Sequence, residues 1–537
     1  MEAVEEKQVN SLKTYTVLVS DKMSEVGLAP LEARNDIDIV KENIHETTVD
    51  LTTIDALLIR SATKVTEEVL CKLPNLKIIG RAGVGVDNID IEASTKRGIA
   101  VINAPEGNTI STAEHTFSML CSLARNIPQA HASMCDGKWE RSSFQGMELR
   151  GKTLAIIGYG RIGSELATRA KAFQMDVIVY DPYLNQRLAD KHGITIVSFQ
   201  EAIENGDIIT VHTPLTNETK GMISYDAFKK MKPTTRILNC ARGGIIDENA
   251  LIEAIEKQQI AGAALDVFTE EPLKDERLTQ SDRIITTPHI AASTKEAQEN
   301  VASQVANEAL NYLDGEPAIN AINVPAIPKN VYESLLPFHH LTKQMGSFAS
   351  QCMKQPANDI TLQFSGEWKD QESSILTRSF IGGFLDPLID DYVNDINSSM
   401  IAESRGISYG HKKSDENSGY SHLIQAHVKG DNDEFSIAGT YNEEFGARIV
   451  RVNGYPIDVQ PDEHLLYIHH RDLTGVIGKV GQCIGTHDIN IATMQVGRKE
   501  EGGEAIMMLA IDKKATSNLI EDLKTLDEIK TVSLIEL

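Results

Sequence analysis

The sequence predicts an α/β protein with two lobes, each a doubly wound parallel sheet, followed by an α+β unit and a βαββαβ module. Three observations predict it. Apolar strand patterns alternate with helical ones from residue 14 to residue 80, a second such alternation begins at 152, and the composition changes after the proline-bearing linker NVPAIPK. At roughly 100 to 200 residues per domain, 537 residues are enough for three or four domains with separate cores.

In chain order, the first thirteen residues, MEAVEEKQVNSLK, form a solvated extension with no apolar core of signal-peptide length. TYTVLVSD at 14–21, IDALLIR at 54–60 and LKIIG at 76–80 read as strands of βαβ units. The run TISTAEHTFSMLCSLARNIPQAH, 109–131, reads as one helix with an apolar face. Strands follow from 152, at IIT (208–210), RILNCA (236–241) and AGAALDVF (261–268), and a long amphipathic helix after Ile290 ends at Gly315. Pro325 and Pro328 mark a linker. Beyond it lie strand-like ITLQFSG and SIAGTYN, a glycine pair at 382 and 383 that reads as a break, and HKKSDENSG, which reads as a polar loop. From 464, HLLYIHH opens the βαββαβ pattern, whose first helix sets Ile477, Val480 and Ile484 on one face.

Charge narrows the function. The chain carries 52 basic and 77 acidic side chains, a net of −25, which argues against nucleic-acid and anionic-membrane partners, since both need clustered Lys and Arg. The excess is uneven. Residues 51–250 hold 23 basic and 22 acidic side chains, so a small anion would bind there. The six cysteines are scattered, with no C-x-x-C pair and no His at metal spacing, so reduced thiols, no metal and a cytoplasmic location are expected. No apolar run approaches the roughly 18 residues of a membrane span.

Two motif groups carry the chemistry. Strand LAIIG runs into Gly158, Gly160 and Gly163, a helix follows from Arg161, and strand VIVY ends at Asp181, 18 residues after Gly163. The glycines let backbone amides approach a pyrophosphate at the helix N-terminus, and Asp181 stands where a carboxylate accepts from ribose hydroxyls. A 2′-phosphate would face that negative charge, so NAD is expected over NADP. The second group, NCARGGIIDE, ALDVFTEEP and TPHIAAST, brings Arg242, Glu271 and His289 to or just beyond the C-terminal ends of strands, where open α/β sheets bind ligands. Removing hydride from a 2-hydroxy acid needs a base for the hydroxyl proton, which imidazole supplies, a carboxylate to orient it, and an arginine to grip the substrate's carboxylate.

NAPEGNTISTAEHT, GKTLAIIGYGRIG, NCARGGIIDE, LDVFTEEP and TPHIAASTKEAQ, in that order, resemble the D-2-hydroxyacid dehydrogenase family, in its long branch with an intervening domain and a C-terminal ACT domain. The resemblance covers essentially 14–537. It implies a discontinuous substrate lobe, residues 1–106 with a return segment at 294–320, around an NAD-binding Rossmann lobe at 107–293, then an intervening domain at 321–458 and an ACT domain at 464–537. It implies NAD-dependent oxidation of 3-phospho-D-glycerate to 3-phosphooxypyruvate, the first step of L-serine biosynthesis, with 2-oxoglutarate reduction as a side activity. His289 would be the acid/base, Glu271 its partner and Arg242 the substrate-orienting cation.

For the cofactor, the resemblance implies Gly158, Gly160, Arg161, Ile162, Gly163, Asp181, Thr213, Cys240, Ala241, Arg242, Asp266, His289, Ala291 and Ala292. For the substrate, it implies Arg60, Ser61, Arg81, Gly83, Val84 and Asn108, with Arg141 on an arm resembling one that crosses to a neighbouring subunit. Three arginines beyond Arg242 are what a second anionic end requires. LYIHHRDLTGVIGKVGQCIGTHDINIATMQVGR resembles the ACT domain, and its likeness implies that His470, Asp472 and Asn490 bind L-serine where two such modules meet; Thr474 stands where the family usually has Pro, which gives a less stiff loop. A homo-oligomer, as a tetramer, is expected. Other readings are a dehydrogenase for a different 2-hydroxy acid, or a scaffold like the NADH-sensing corepressors that share the fold. The long C-terminal half and the phosphate arginines favour the enzyme.

Overall fold

The computed structural model describes residues 14–325, 327, 329–366, 368, 370–389, 392–414, 419–461 and 464–537, so the acidic extension and Pro328 lie outside the described residues. The first lobe is a five-stranded parallel sheet in the order β2-β1-β3-β4-β5, built from β1 (Tyr15–Val19), β2 (Ile37–Val40), β3 (Ile54–Ile59), β4 (Ile78–Arg81) and β5 (Ala100–Asn103). Strands β1, β3, β4 and β5 are buried on both faces, while the edge strand β2 is only half-buried. Val17, Ala56, Leu58 and Ile78 pack with Val301, Val305 and Ala309 of helix Lys295–Leu313, whereas Leu18, Leu57, Ile59 and Ile79 pack with Leu70 and Leu73. That is why these strands are near-continuous apolar runs rather than alternations.

The second lobe is a seven-stranded parallel sheet, order β12-β11-β10-β9-β6-β7-β8, from β6 (Thr153–Ile157), β7 (Asp176–Tyr180), β8 (Thr195–Ile196), β9 (Ile208–Val211), β10 (Arg236–Asn239), β11 (Gly262–Leu265) and β12 (Ile284–Thr286). The strand order reverses between β6 and β9, the place where doubly wound sheets open a crevice for a dinucleotide. The chain enters this lobe after β5 and leaves it by helix Lys295–Leu313, which returns to the first. The two crossings touch: the Ser111 and Thr294 hydroxyls lie 2.6 Å apart, and a Cβ on Gly107 would come within 2.9 Å of the Val301 amide.

The third unit is a six-stranded sheet, order β14-β13-β15-β16-β17-β18: β13 (Asp359–Gly366), β14 (Ser408–Ser414), β15 (His422–Lys429), β16 (Glu434–Asn442), β17 (Gly446–Val452) and β18 (Tyr455–Val459). Helices Lys329–Cys352 and Asp370–Leu385 cover it. The last unit has β19 (His464–Arg471), β20 (Ile491–Arg498), β21 (Glu504–Ile511) and β22 (Ile529–Glu536) in the order β20-β21-β19-β22, with helices Val476–Thr486 and Ser517–Lys524 on one face. Its other face, Leu465, Tyr467, Met508 and Ile535, joins the core of the third unit around Phe348. Among the described residues no helix is long and apolar enough to cross a membrane.

Four expectations need correction. The helix expected over 109–131 is two, Thr109–Arg125 and Ile127–Cys135, joined by Asn126 at φ 51°. Pro128 disfavours helical backbone at the residue before it and has no N–H to continue the ladder, and Asn tolerates the left-handed turn that restarts it. Gly382 and Gly383 do not break the chain but lie inside helix Asp370–Leu385, where a Cβ at Gly383 would sit 2.0 Å from the Lys343 carbonyl oxygen. Gly383 is a packing device for two close helices. His411–Ser414 belong to β14, paired in parallel with β13, so the polar stretch is half strand, and 415–418 lie outside the described residues. In the last unit Val476, not Ile477, lines up with Val480 and Ile484; Ile477 is 52% exposed.

Candidate active site

The nucleotide-binding features lie between β6 and β7. Gly158 takes φ 93°, and a Cβ there would approach the His212 carbonyl oxygen to 2.6 Å. Gly163 brings its helix within reach of the strand, since a Cβ would lie 2.4 Å from the Gly158 oxygen, while Gly160 caps helix Arg161–Ala172 with open space before it. Arg161 and Ile162 form the first turn. Asp181 follows β7 and accepts from the Tyr159 amide (2.7 Å) and the Tyr183 amide (2.8 Å), so it braces the glycine turn. After β9, the Thr213 hydroxyl and His212 Nδ1 are buried without a partner; burial lowers His212 to about 4, so the ring is neutral. Orphaned polar atoms beside a glycine cradle fit a dinucleotide.

Three adjacent strands deliver the reactive residues. Arg242 follows β10, Glu271 follows β11 and His289 follows β12. His289 Nδ1 and Glu271 Oε2 are 2.8 Å apart, and Glu271 Oε1 accepts from the Phe268 amide at 3.0 Å. Both side chains stay accessible, at 49% and 38%. Gly243 lets the Arg242 loop lie on the Phe268 carbonyl, where a Cβ would be 1.9 Å away. Asp266, fully buried, organises the loop that carries His289: it accepts from the Thr287 hydroxyl (2.6 Å), the Ile290 amide (2.9 Å) and the Ala291 amide (2.9 Å). Burial alone would raise its carboxyl, but the bonds from His115, Thr287, Ile290 and Ala291 hold it below the ordinary value. Its oxygens are thus engaged within the protein. Ala292 lies just beyond, and Cys240 is buried beside Asp266, its thiol pushed up to about 12 chiefly by burial.

His115, 3.4 Å from Asp266, is a member of this network that the motifs did not reveal. The signal was present as a histidine on the buried side of a helix whose neighbours Thr112, Thr116 and Met119 are core.

Across the cleft, Arg242 reaches the first lobe, with its Nε 3.3 Å from Asp87. Arg81, at the end of β4, is pushed down to about 10 by burial and by repulsion from Arg242 and Arg60, against the pull of Asp87 and Asp21, and its Nε is buried without a partner. Three guanidiniums short of negative charge fit an anion with two charged ends. Arg60 is held by the Lys22 carbonyl (3.3 Å) and Gln298 (3.2 Å), next to exposed Ser61. A Cβ at Gly83 would meet Arg81 Nη1; Val84 follows, and Asn108, with Oδ1 buried and unpaired, opens helix Thr109–Arg125. Arg141 is exposed on the 3-10 turn Arg141–Phe144.

In the C-terminal unit, His470 is 2% exposed, and Asp472 accepts from Arg498 (3.2 Å) and the Gly502 amide. Asn490 pairs with Asp512 at the other end of the sheet. The two ends lie seven residues apart along β21, roughly 20 Å at ~3.3 Å per residue. One chain therefore does not bring His470, Asp472 and Asn490 together.

Fold and cleft define a nicotinamide-dependent 2-hydroxyacid dehydrogenase. Residues 117–291 match the model of the D-isomer specific 2-hydroxyacid dehydrogenase NAD binding domain, 334–453 that of the D-3-phosphoglycerate dehydrogenase intervening domain and 464–528 that of the ACT domain. The chain belongs to the D-3-phosphoglycerate dehydrogenase family: it is 52% identical to the D-3-phosphoglycerate dehydrogenase of Bacillus subtilis over 97% of this chain and 100% of that one. It is 41% identical to the enzyme of that name from Methanocaldococcus jannaschii, over 97% and 99%. Among solved structures it is similar to a D-lactate dehydrogenase from Aquifex aeolicus complexed with NAD and lactic acid (28% identity, TM-score 0.52, 58% of this chain and 100% of that chain). A glyoxylate reductase from Paecilomyes thermophila is also similar (27%, TM-score 0.53, 57% and 98%). Both likenesses extend over little more than half of this chain.

Proposed function

We propose that the protein oxidises 3-phospho-D-glycerate to 3-phosphooxypyruvate with NAD, the first step of L-serine biosynthesis. The observation that carries this is the His289–Glu271 pair in a cleft whose facing walls supply Arg242, Arg81 and Arg60. Glu271 holds Nδ1 of His289, which leaves Nε2 to take the C2 hydroxyl proton, and the carboxylate stabilises the imidazolium that forms. Arg242 grips the substrate carboxylate, while Arg60 and Arg81, with Arg141 from a second chain, hold the phosphate. When bound, NAD would supply the acceptor for the hydride of C2. The proton on His289 then leaves to solvent, so an alcohol is converted to a ketone with the two hydrogens accounted for.

The regulatory reading is that L-serine binds between two ACT units, with His470 and Asp472 from one chain and Asn490 from the other. Their separation within one chain favours this arrangement. Exposed Trp139 (75%) and Met134 (53%) beside Arg141 support pairing through the arm, and a tetramer then follows from arm and ACT contacts together. The test is NADH formation from 3-phosphoglycerate and NAD at alkaline pH, with NADP, lactate and glycerate as controls, followed by L-serine titration. No NADH with the phosphorylated substrate would refute the main reading; unchanged activity at millimolar serine would refute only the regulatory one. Arg60→Ala and Arg81→Ala should each raise KM for 3-phosphoglycerate by roughly tenfold or more, the worth of a charge-assisted contact.

A further inference from the structure

At the N-terminal ends of β4 and β5, the far end of the sheet from Arg81, a cavity of about 330 Å³ separates the first lobe from the third unit. Three tyrosines line it: Tyr312 from helix Lys295–Leu313, Tyr332 from helix Lys329–Cys352, and Tyr392. Among the described residues their hydroxyls have no hydrogen-bond partner. Burial, and the proximity of Tyr392, Asp395 and Tyr332, raise the Tyr312 hydroxyl well above its ordinary value, so these groups converge. Ile375 adds an apolar wall.

The charged groups are incompletely used. Lys77 is already engaged, 2.7 Å from Asp55 and over the Tyr15 ring, and Glu316, the other carboxylate lining the cavity, has an interaction of its own. Arg378, half-buried on helix Asp370–Leu385, forms no ion pair with a described carboxylate, Asp395 included. Asp395 Oδ2 accepts from His339 Nε2 at 2.5 Å. Its Oδ1 lies 3.9 Å from where a Cβ on Gly382 would be, one helical turn beyond Arg378, and Cβ positions four residues apart are roughly 5–6 Å apart. An arginine without an ion pair and an open carboxylate oxygen thus line one space from neighbouring turns, together with aromatic and apolar walls.

We propose that this cavity binds a free α-amino acid with an apolar side chain, its carboxylate on Arg378, its ammonium on Asp395 Oδ1 and the tyrosine rings, and its side chain against Ile375. A bare anion would leave Asp395 facing it, and a bare cation would leave Arg378 unmatched; a zwitterion matches both. Its occupant would tie the third unit to the first lobe, where Asn394 already donates to the Gly98 carbonyl at 2.8 Å. The inference does not depend on the dehydrogenase reading or on the ACT effector.

The test is calorimetric titration of the full chain with L-leucine, using 4-methylpentanoate and 3-methylbutylamine as controls lacking one charge each. L-leucine should bind at one site per chain, and binding should weaken roughly tenfold or more for Arg378→Gln, for Asp395→Asn and for either control, while Asp472→Asn binds as the unaltered chain does. Because Asp395 also holds His339, Tyr392→Ala at the exposed rim serves as a second variant and should weaken binding without lowering Tm. The proposal is overturned if L-leucine gives no heat up to millimolar concentration, if 4-methylpentanoate binds equally well, or if Asp472→Asn abolishes binding that Arg378→Gln retains.

Discussion

His289 has φ 52°, a backbone conformation that a non-glycine residue holds only when its surroundings insist. The insistence comes from Asp266, whose oxygens fix the amides on its C-terminal side. His289→Asn, which tolerates the same backbone, should therefore fold normally and lose roughly 10²- to 10⁴-fold in kcat, the worth of a general base. Glu271→Gln should lose less, with the loss concentrated in kcat. Asp266 has an acid signature. Its native carboxyl lies below the ordinary 3.8, so its contribution to stability is fully present above that value and is lost as pH falls through it toward the native one. Asp266→Asn should lower Tm at pH 7 and flatten the fall in Tm between neutral and acid pH; an unchanged acid profile would count against this role. At this scale Gly158, Asp181, Arg242, Glu271 and His289 were legible because each sits in a short run of sequence whose strand-end position is itself readable. His115 was not, since only the packing of helix Thr109–Arg125 on the second lobe reveals its partner.

At the scale of elements, glycine misled where it serves packing. A Gly-Gly pair reads as punctuation, yet at 382 and 383 the backbone is helical and the missing side chain lets helix Asp370–Leu385 approach Lys343. Gly383→Ala puts a methyl 2.0 Å from a backbone oxygen, and overpacking of that kind costs about 1–3 kcal/mol or more. Urea unfolding should show the loss, with activity at low temperature retained by the fraction that folds. Gly382→Ala, whose Cβ would meet nothing nearer than 3.8 Å, should be far milder and serves as the control. Strands such as β1, β3 and β4 were legible because short apolar runs, ALLI in β3 among them, are bounded by turn signals, whereas the four-residue strands β2 and β5 were not. The break at Asn126 was not, because the apolar pattern continues across it and only the local cost of Pro128 interrupts the ladder.

For the whole molecule, the ACT sheet is not a free appendage. Leu465, Tyr467, Met508 and Ile535 share a core with Phe348 and Tyr455, and Gln351 bonds both the amide and the carbonyl of Glu536. A chain ending after Val459 would uncover the third unit's side of that core, around Phe348 and Tyr455, at about 1.5–3 kcal/mol for each large apolar side chain exposed. It should show a lower Tm and bind an apolar dye, whereas an independent ACT unit would leave the remainder unchanged. The sequence leads one to expect a boundary near residue 460 but could not show that the two units share a core, because which face of β19 turns outward depends on what the neighbouring unit presents.

The Ser111–Thr294 contact has a mechanical meaning as well. Two lobes joined by one strand can swivel freely; two strands spaced apart would lock them. Here the connections run as a bonded pair, like the spine of a book, and two crossings tied side by side resist any relative movement of the lobes other than rotation about the line they define. Arg242 belongs to one cover and Arg81 to the other, so an anion that bridges them would tie the two covers together.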